Sequence, residues 1–256
     1  MDAFTAGLSG NALALAFAIT LLAGFVKGAV GFAMPMIMVS GLGSFLAPEL
    51  ALAALIVPTV LTNLWQALRA GADATRAAIR AHWLYLALVL AFVAISAQLV
   101  RLLPAATLHL ILGVPVTGFA LTQLFGLRLR FRPEHRRRAE VLIASFAGFV
   151  GGLSGVWGPP TVAYLTALDT PKDEQLRVQG VIYGAGAVML MLAHLGSGVF
   201  NAETAPLSLL LTLPALAGLA LGFRLGDRLD QDRFRKATLA VLAVAGLNLV
   251  RRGFGL

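Results

Sequence analysis

The chain has 256 residues, 59% of them hydrophobic and only 12% charged, with a mean hydropathy of +0.85. A soluble domain carries about 45–50% apolar and about 25% charged residues, so too little polar surface remains to cover a water-exposed fold. There is no cysteine, which excludes disulfides, thiolate metal sites and cysteine nucleophiles, and the formal charge is +8. In so apolar a chain, clustered arginines set membrane orientation, and no nucleic-acid partner is expected.

Residues 1–11 carry no basic group ahead of the first apolar run and do not read as a secretory signal. Apolar segments follow at 12–47, 49–69, 82–100 and 105–127, then at 141–168, 178–200, 205–223 and 234–250. Between the two groups lies a basic loop holding Arg128, Arg130, Arg132, Arg136, Arg137 and Arg138, with Pro133 as a break. The chain therefore divides into a first repeat, 1–127, a basic cytoplasmic linker, 128–140, and a second repeat, 141–256. Segment 12–47 is too long for one straight span and too short for two, which need about 20 residues each.

The halves share a pattern. Ala23–Pro35 (AGFVKGAVGFAMP) aligns with Ala147–Pro159 (AGFVGGLSGVWGP) at a constant offset of 124, and seven of the 13 positions are identical. Each copy interrupts the first segment of its half, which argues for internal duplication. At such an interruption the segment either crosses as a broken helix or turns back as a re-entrant hairpin.

Loop charge arbitrates between these. If all eight segments cross and the central loop is cytoplasmic, 11 basic residues fall inside and 8 outside. If each motif segment turns back, the groups at 172–177 and 224–236 move inside, giving 16 against 3, with only Arg101, Arg251 and Arg252 outside. The hairpin arrangement fits the positive-inside rule far better. The count tests the second hairpin; the first rests on the repeat, because no basic residue precedes Lys27. The expected fold is an all-α polytopic membrane protein of two inverted repeats, each a broken or re-entrant segment plus three transmembrane helices. The expected location is the cell (inner) membrane.

The motif residues explain the breaks. Gly28, Gly31, Gly152 and Gly155 permit backbone conformations and close approaches that bulkier residues resist. Pro35 and the Pro159–Pro160 pair suit the first turn of a new helix. A helix start presents unpaired N–H groups and partial positive charge, and two such starts meeting from opposite leaflets would form an anion site. Lys27 is the only basic residue well inside an apolar segment, where a charge is usually functional and would neutralise an anion. Asn63, and Gln179 with Tyr183 one turn apart, supply uncharged hydrogen-bond donors. Phe32, Trp157 and Gly158 complete the candidate substrate-binding set. Tyr164 and Trp83 read as packing or interface aromatics, and His109 and His194 as structural residues near span ends.

The two motifs, GFVKGAVGFAMP and GFVGGLSGVWGPP, with PALAGLALGFRLGDRL at Pro214–Leu229, resemble the TauE/SafE (sulfite exporter) family of membrane permeases over about residues 12–250. The resemblance implies transport of a small anion: sulfite, a sulfonate or a related sulfur or carboxylate compound. Relatives often carry a richer glycine run in the first motif, where this chain has Phe32-Ala33-Met34.

No Asp or Glu lies in the middle of an expected span, which removes the usual carboxylate proton or sodium site. No paired carboxylates, H-E-x-x-H motif or P-loop supports hydrolysis or ATP use, and no metal or cofactor is expected. The sequence reads as a secondary anion transporter, most simply an exporter driven by membrane potential. Its expected partners are a small anionic substrate and the lipid bilayer, and a homo-oligomer is compatible with the reading. The alternative is a membrane-embedded enzyme acting on an anionic lipid or phosphate ester, for which Ser154 is the only hydroxyl in the second motif and has no acid or imidazole nearby in sequence.

Overall fold

A computed structural model of the chain describes residues 7–97, 105–126, 133–154 and 157–255. The described elements are helical, with no strand among them: α1 (Gly10–Val30), α2 (Met34–Leu42), α3 (Pro48–Leu68), α4 (Ala72–Ala81), α5 (Trp83–Ala97), α6 (Ala105–Leu124), a short 3-10 turn (Pro133–His135), α7 (Arg136–Ser154), α8 (Gly158–Ala167), α9 (Lys172–Ser197), α10 (Ala205–Arg228) and α11 (Gln231–Gly253).

The breaks fall where the duplicated motif places them. Helix α1 ends at Val30 and α7 at Ser154; α2 starts at Met34 and α8 at Gly158, each pair separated by the offset of 124. Gly31 closes α1 at φ +88°, and its N–H reaches back to the Lys27 carbonyl. Ala33 precedes α2 at φ +75°, a strained position for a residue with a Cβ. Pro35 and Pro159 then sit in the first turns of α2 and α8, where a missing N–H removes no helical bond.

Both motif segments fold back. A Cβ on Gly41, late in α2, would press on Ile19 in α1, so α2 returns along the helix it follows. Late in α8, Tyr164 lies within hydrogen-bonding reach of Arg136 at the start of α7. Helix α1 is nonetheless 21 residues, long enough by itself for the hydrocarbon thickness, rather than a half-helix.

The bundle closes by exchanging partners between halves. Helix α1 of the first half packs most extensively on α10 of the second, and α5 of the first packs on α7 of the second, while α3 packs on α9 and α6 on α11. The α1–α10 contact is glycine-lined. Gly24 lies against Ala215 and Leu219, Gly28 against Leu219 and Gly222, and Gly226 against Gly28 and Ala29. The numbers rise together, so the two helices run parallel with their backbones nearly touching, as small residues at four-residue spacing allow.

Basic groups gather at one end of this bundle. There Arg69 after α3 pairs with Asp227 near the end of α10, and Arg235 in α11 pairs with Asp169 after α8. The Lys172 ammonium donates to the Gly226 and Leu229 carbonyls that finish α10. Arg252 lies at the other end, donating to the Ser40 carbonyl in α2 beside an Asn248–Ser40 hydrogen bond. Arg101, Arg128, Arg130 and Arg132 lie outside the described residues.

Four helices are long and apolar enough to cross a membrane among the described residues: α1, Leu50–Leu68 of α3, Lys172–Gly196 of α9, and α10. A fifth is counted if α4 and α5, bent by 78° at His82, form one span. The sequence leaves α4 in a connecting loop. It is an amphipathic helix of nearly three turns beyond the apolar run, carrying Asp73, Arg76 and Arg80, of the kind that lies in the interface. Helix α9 starts at Lys172 rather than 178, because Asp173 and Glu174 complement its N-terminal dipole and extend it past the apolar stretch. In α11 only 14 uncharged residues, 237–250, separate Lys236 from Arg251. At 1.5 Å each they cover about 21 Å, so the flanking cations must snorkel to reach water.

The parallel glycine seam makes a testable demand. A Cβ on Gly222 would collide with the Phe25 carbonyl and Gly28 Cα, whereas Gly196 has open space around it. Gly222→Leu is expected to lower the detergent unfolding temperature by the equivalent of at least about 1–3 kcal/mol, the usual penalty of overpacking, and Gly196→Leu to leave it unchanged. Thermal melts followed by size-exclusion chromatography check this.

Candidate functional site

Lys27 lies one turn before the end of α1, on the face turned towards α3 and α9, and is 1% exposed. Its ammonium donates to Asn63 Oδ1 of α3 and stands 5.8 Å from the centre of the Tyr183 ring of α9. Lysine has no acceptor, so the Asn63 oxygen must face it. Tyr183 is held in turn by donating its hydroxyl to the Gly158 carbonyl at 3.0 Å.

These groups border a cavity of about 30 Å³, room for roughly two waters. It is lined by Lys27, Phe32, Ala33, Pro35, Met36, Thr59, Asn63, Trp157, Gly158, Pro159 and Tyr183. Three pairs at the repeat offset face each other across it: Ala33 and Trp157, Pro35 and Pro159, Thr59 and Tyr183. The two breaks therefore meet. A Cβ on Gly158 would touch both the Tyr183 hydroxyl and Phe32 at ordinary van der Waals distance. Tyr183 is the twelfth residue of the 26 in α9, so the cavity sits near the middle of that helix.

The chemistry is that of an anion receptor with one full charge. No carboxylate or imidazole lines the cavity among the described residues, so nothing there neutralises Lys27. The first turns of α2 and α8 border it with their N-terminal dipoles, but proline thins their donors. Of the four N–H groups that a helix start leaves unpaired, α2 retains those of Ala33, Met34 and Met36; α8 retains only those of Trp157 and Gly158, because Pro159 and Pro160 have none. The first helix start and Lys27 thus carry most of the polarity, and the buried Thr59 hydroxyl, which has no partner, adds one donor.

Each side of the cavity is shut differently. In the second half the Trp157 ring packs on Gly151 and Gly186, sites where any Cβ would press into the indole. In the first half the Gln66 amide, 3% exposed, donates to the Gly31 carbonyl at 3.2 Å and the Leu176 carbonyl at 2.8 Å, tying the tip of the first break to α9.

Of the residues that the sequence singles out, Lys27, Phe32, Pro35, Asn63, Trp157, Gly158, Pro159 and Tyr183 come together at the cavity. Gly28 instead serves the α1–α10 contact. Gly31 and Gln179 abut each other beyond the cavity wall, with both Gln179 amide atoms buried and unpartnered. Gly152 is buried in α7 away from the lining, and Gly155 lies outside the described residues. Tyr164 stacks on Tyr85 with ring centroids 5.2 Å apart, and Trp83 is 61% exposed, matching their packing and interface readings. Thr59 and Gln66 were not singled out, although Thr59, Asn63 and Gln66 form a polar stripe at helical spacing within an apolar helix. Ala33 and Met36 carry no signal of their own; only the break at the start of α2 brings them to the wall.

A multi-pass helical bundle with paired broken segments closing on a buried cation is the architecture of a membrane permease. The chain belongs to the sulfite exporter TauE/SafE family, a family of membrane transporters whose sequence profile matches residues 16–249. Searches of curated proteins and of solved structures return no match.

The Lys27–Asn63 contact separates folding from function. Removing the acceptor by Asn63→Leu leaves a buried ammonium without its partner and should cost about 1.5–3 kcal/mol. Lys27→Met keeps the volume, removes the charge, and should leave stability equal to or above wild type. Paired unfolding measurements in one detergent decide between these signs.

Proposed function

We propose that this chain is a secondary transporter of a small oxyanion, sulfite or a close sulfur-containing relative, and that it works by alternating access around the Lys27 cavity. The observation that carries the reading is a lysine buried between two broken helices with no acid lining the space among the described residues. A lone buried cation is expensive in an apolar surround, and a bound anion supplies the missing counter-charge. The cavity volume of about 30 Å³ favours a compact oxyanion, since a bulky organic anion would have to displace Phe32, Met36 or Trp157. The absence of a lining carboxylate or imidazole among the described residues removes the general base that a hydrolytic reading needs.

In this cycle the anion replaces Asn63 as the principal partner of Lys27 and receives N–H groups from the start of α2. The two repeats, inverted across the bilayer, then separate alternately on one side and on the other. The basic end faces the cytoplasm. An inside-negative potential drives a monoanion outward by about 2.3 kcal/mol per 100 mV, enough for export without a proton-carrying carboxylate.

Reconstitution into sealed liposomes tests the reading. Labelled sulfite flux should respond to an imposed potassium diffusion potential, and Lys27→Met should reduce it to less than about a tenth while leaving insertion and yield intact. Gly155→Leu should do the same by blocking the second break. Wild-type flux in both variants would reject the site. The cysteine-free chain also permits a direct orientation test. Single cysteines at the exposed positions Ala77 and Gly255 should react with a membrane-impermeant maleimide from opposite sides, and reaction of both from one side would reject the inverted arrangement.

A further inference from the structure

Above the Lys27 cavity, at the basic end, lies a second and wider cavity of about 380 Å³, bordered by Gln66, Arg69, Asp173, Leu176, Arg177 and Asp227. Its charges are unevenly used. The Arg69 guanidinium is engaged by Asp227 and by the Phe223 ring, 4.2 Å from its centroid. Arg177 is half-buried, its Nε is buried without a partner, and Asp173 one turn before it makes no ion pair with it. The floor is Gln66, whose amide nitrogen is spent on Gly31 and Leu176 and whose oxygen has no donor. Immediately beneath, Gln179 is 0% exposed, presses on Gly31, and has neither amide atom paired. One turn along α1 from Gly31 stands Lys27.

Buried amides without partners are uncommon, because each forfeits the hydrogen bonds it had in water. Here three side chains with an unpartnered buried polar atom, the Arg177 guanidinium and the Gln66 and Gln179 amides, follow one another between the basic vestibule and the central cation. We propose that they form an access route for the oxyanion: Arg177 is an outer docking site, Gln66 is the latch that closes the passage, and the Gln179 amide receives the anion in transit. The assignment rests on the reading of the Lys27 cavity as an anion site. Arg177 suits the outer position because a guanidinium binds an oxyanion with two parallel N–H donors and sheds its hydration more readily than an ammonium. Gln66 suits the latch because its two bonds join the first repeat's break to the second repeat's α9, and both must be released for the passage to open. The opposite side has no equivalent, since the positions 124 residues beyond Asn63 and Gln66 are Ala187 and Leu190.

Two measurements on the full chain test the route. In sulfite-flux assays from the basic side, Arg177→Gln should raise KM about tenfold, the worth of one charge-assisted hydrogen bond, with kcat little changed. Arg228→Gln, at the same end but off the cavity lining, should leave KM at the wild-type value. Independently of transport, a single cysteine at Thr59, on the central cavity wall, should react with an impermeant thiol reagent added to the basic side. That reaction should be several-fold faster when Gln66 is replaced by Asn or Leu, and sulfite should slow it. If Lys27→Met abolishes flux while Arg177→Gln keeps the wild-type KM and the Gln66 variants leave Thr59→Cys labelling unchanged, the route is wrong and the central site stands. If Lys27→Met leaves flux intact, the central site itself is wrong, and the route falls with it.

Discussion

The structure turns on one energetic constraint: an ammonium held in an apolar bundle by a side-chain amide and the face of a tyrosine. Among the described residues no acid lines the cavity to neutralise Lys27, so its position has to be secured by everything around it. Asn63 is aimed by α3, Tyr183 is anchored on the Gly158 carbonyl, and that carbonyl belongs to the start of a helix which exists because the chain breaks there. Irregular backbone is tolerated at membrane depth only where it is enclosed by protein or lines a cavity. Ala33 and Pro35 meet that condition by lining the cavity of the charged group, so the break and the lysine justify each other.

The two halves share a plan and differ in what they carry on it. Where the first repeat has Lys27, the second has Gly151, and the space that this glycine vacates is taken by the indole of Trp157. Where the first repeat has Asn63 and Gln66, the second has Ala187 and Leu190. One duplicated sequence pattern thus carries a polar closure, Gln66, at the first break and an aromatic one, Trp157, at the second. Polar closures open by exchanging hydrogen bonds with water or solute, whereas an indole must swing as a body. The two closures therefore respond to different solvents and solutes, and the backbone differs with them: Ala33 is left-handed at φ +75°, whereas its counterpart Trp157 lies at φ −101°.

Much of this was legible in the sequence, for identifiable reasons. The duplicated motif located both breaks to its neighbourhood, because glycine permits a helix to end and proline suits the first turn of the next. Eight of the residues singled out line the cavity because they flank those breaks or are the rare polar groups within apolar spans. The remainder was hidden by geometry that only packing reveals. Gly28 looks like its motif neighbours, yet faces α10, since helical rotation turns it away from Lys27. Gln179 shares a face with Tyr183 but lies a turn nearer the basic end, behind Gly31. Helix α4 was missed because an amphipathic interface helix and a charged loop have similar composition.

The exchange of partners between halves bears on how the chain is made. Helix α1 is made before α10, yet its glycine face lies against α10, almost two hundred residues later. Until then its small-residue groove and Lys27 must be sheltered by lipid, by the insertion machinery or by an early intermediate. Neither half contains the complement of its own first helix, so neither is a self-sufficient folding unit. The same interlocking would arise if an ancestral single repeat had paired with an upside-down copy of itself before the genes were joined. The dependence of α1 on α10 is then the trace of two copies that became one chain.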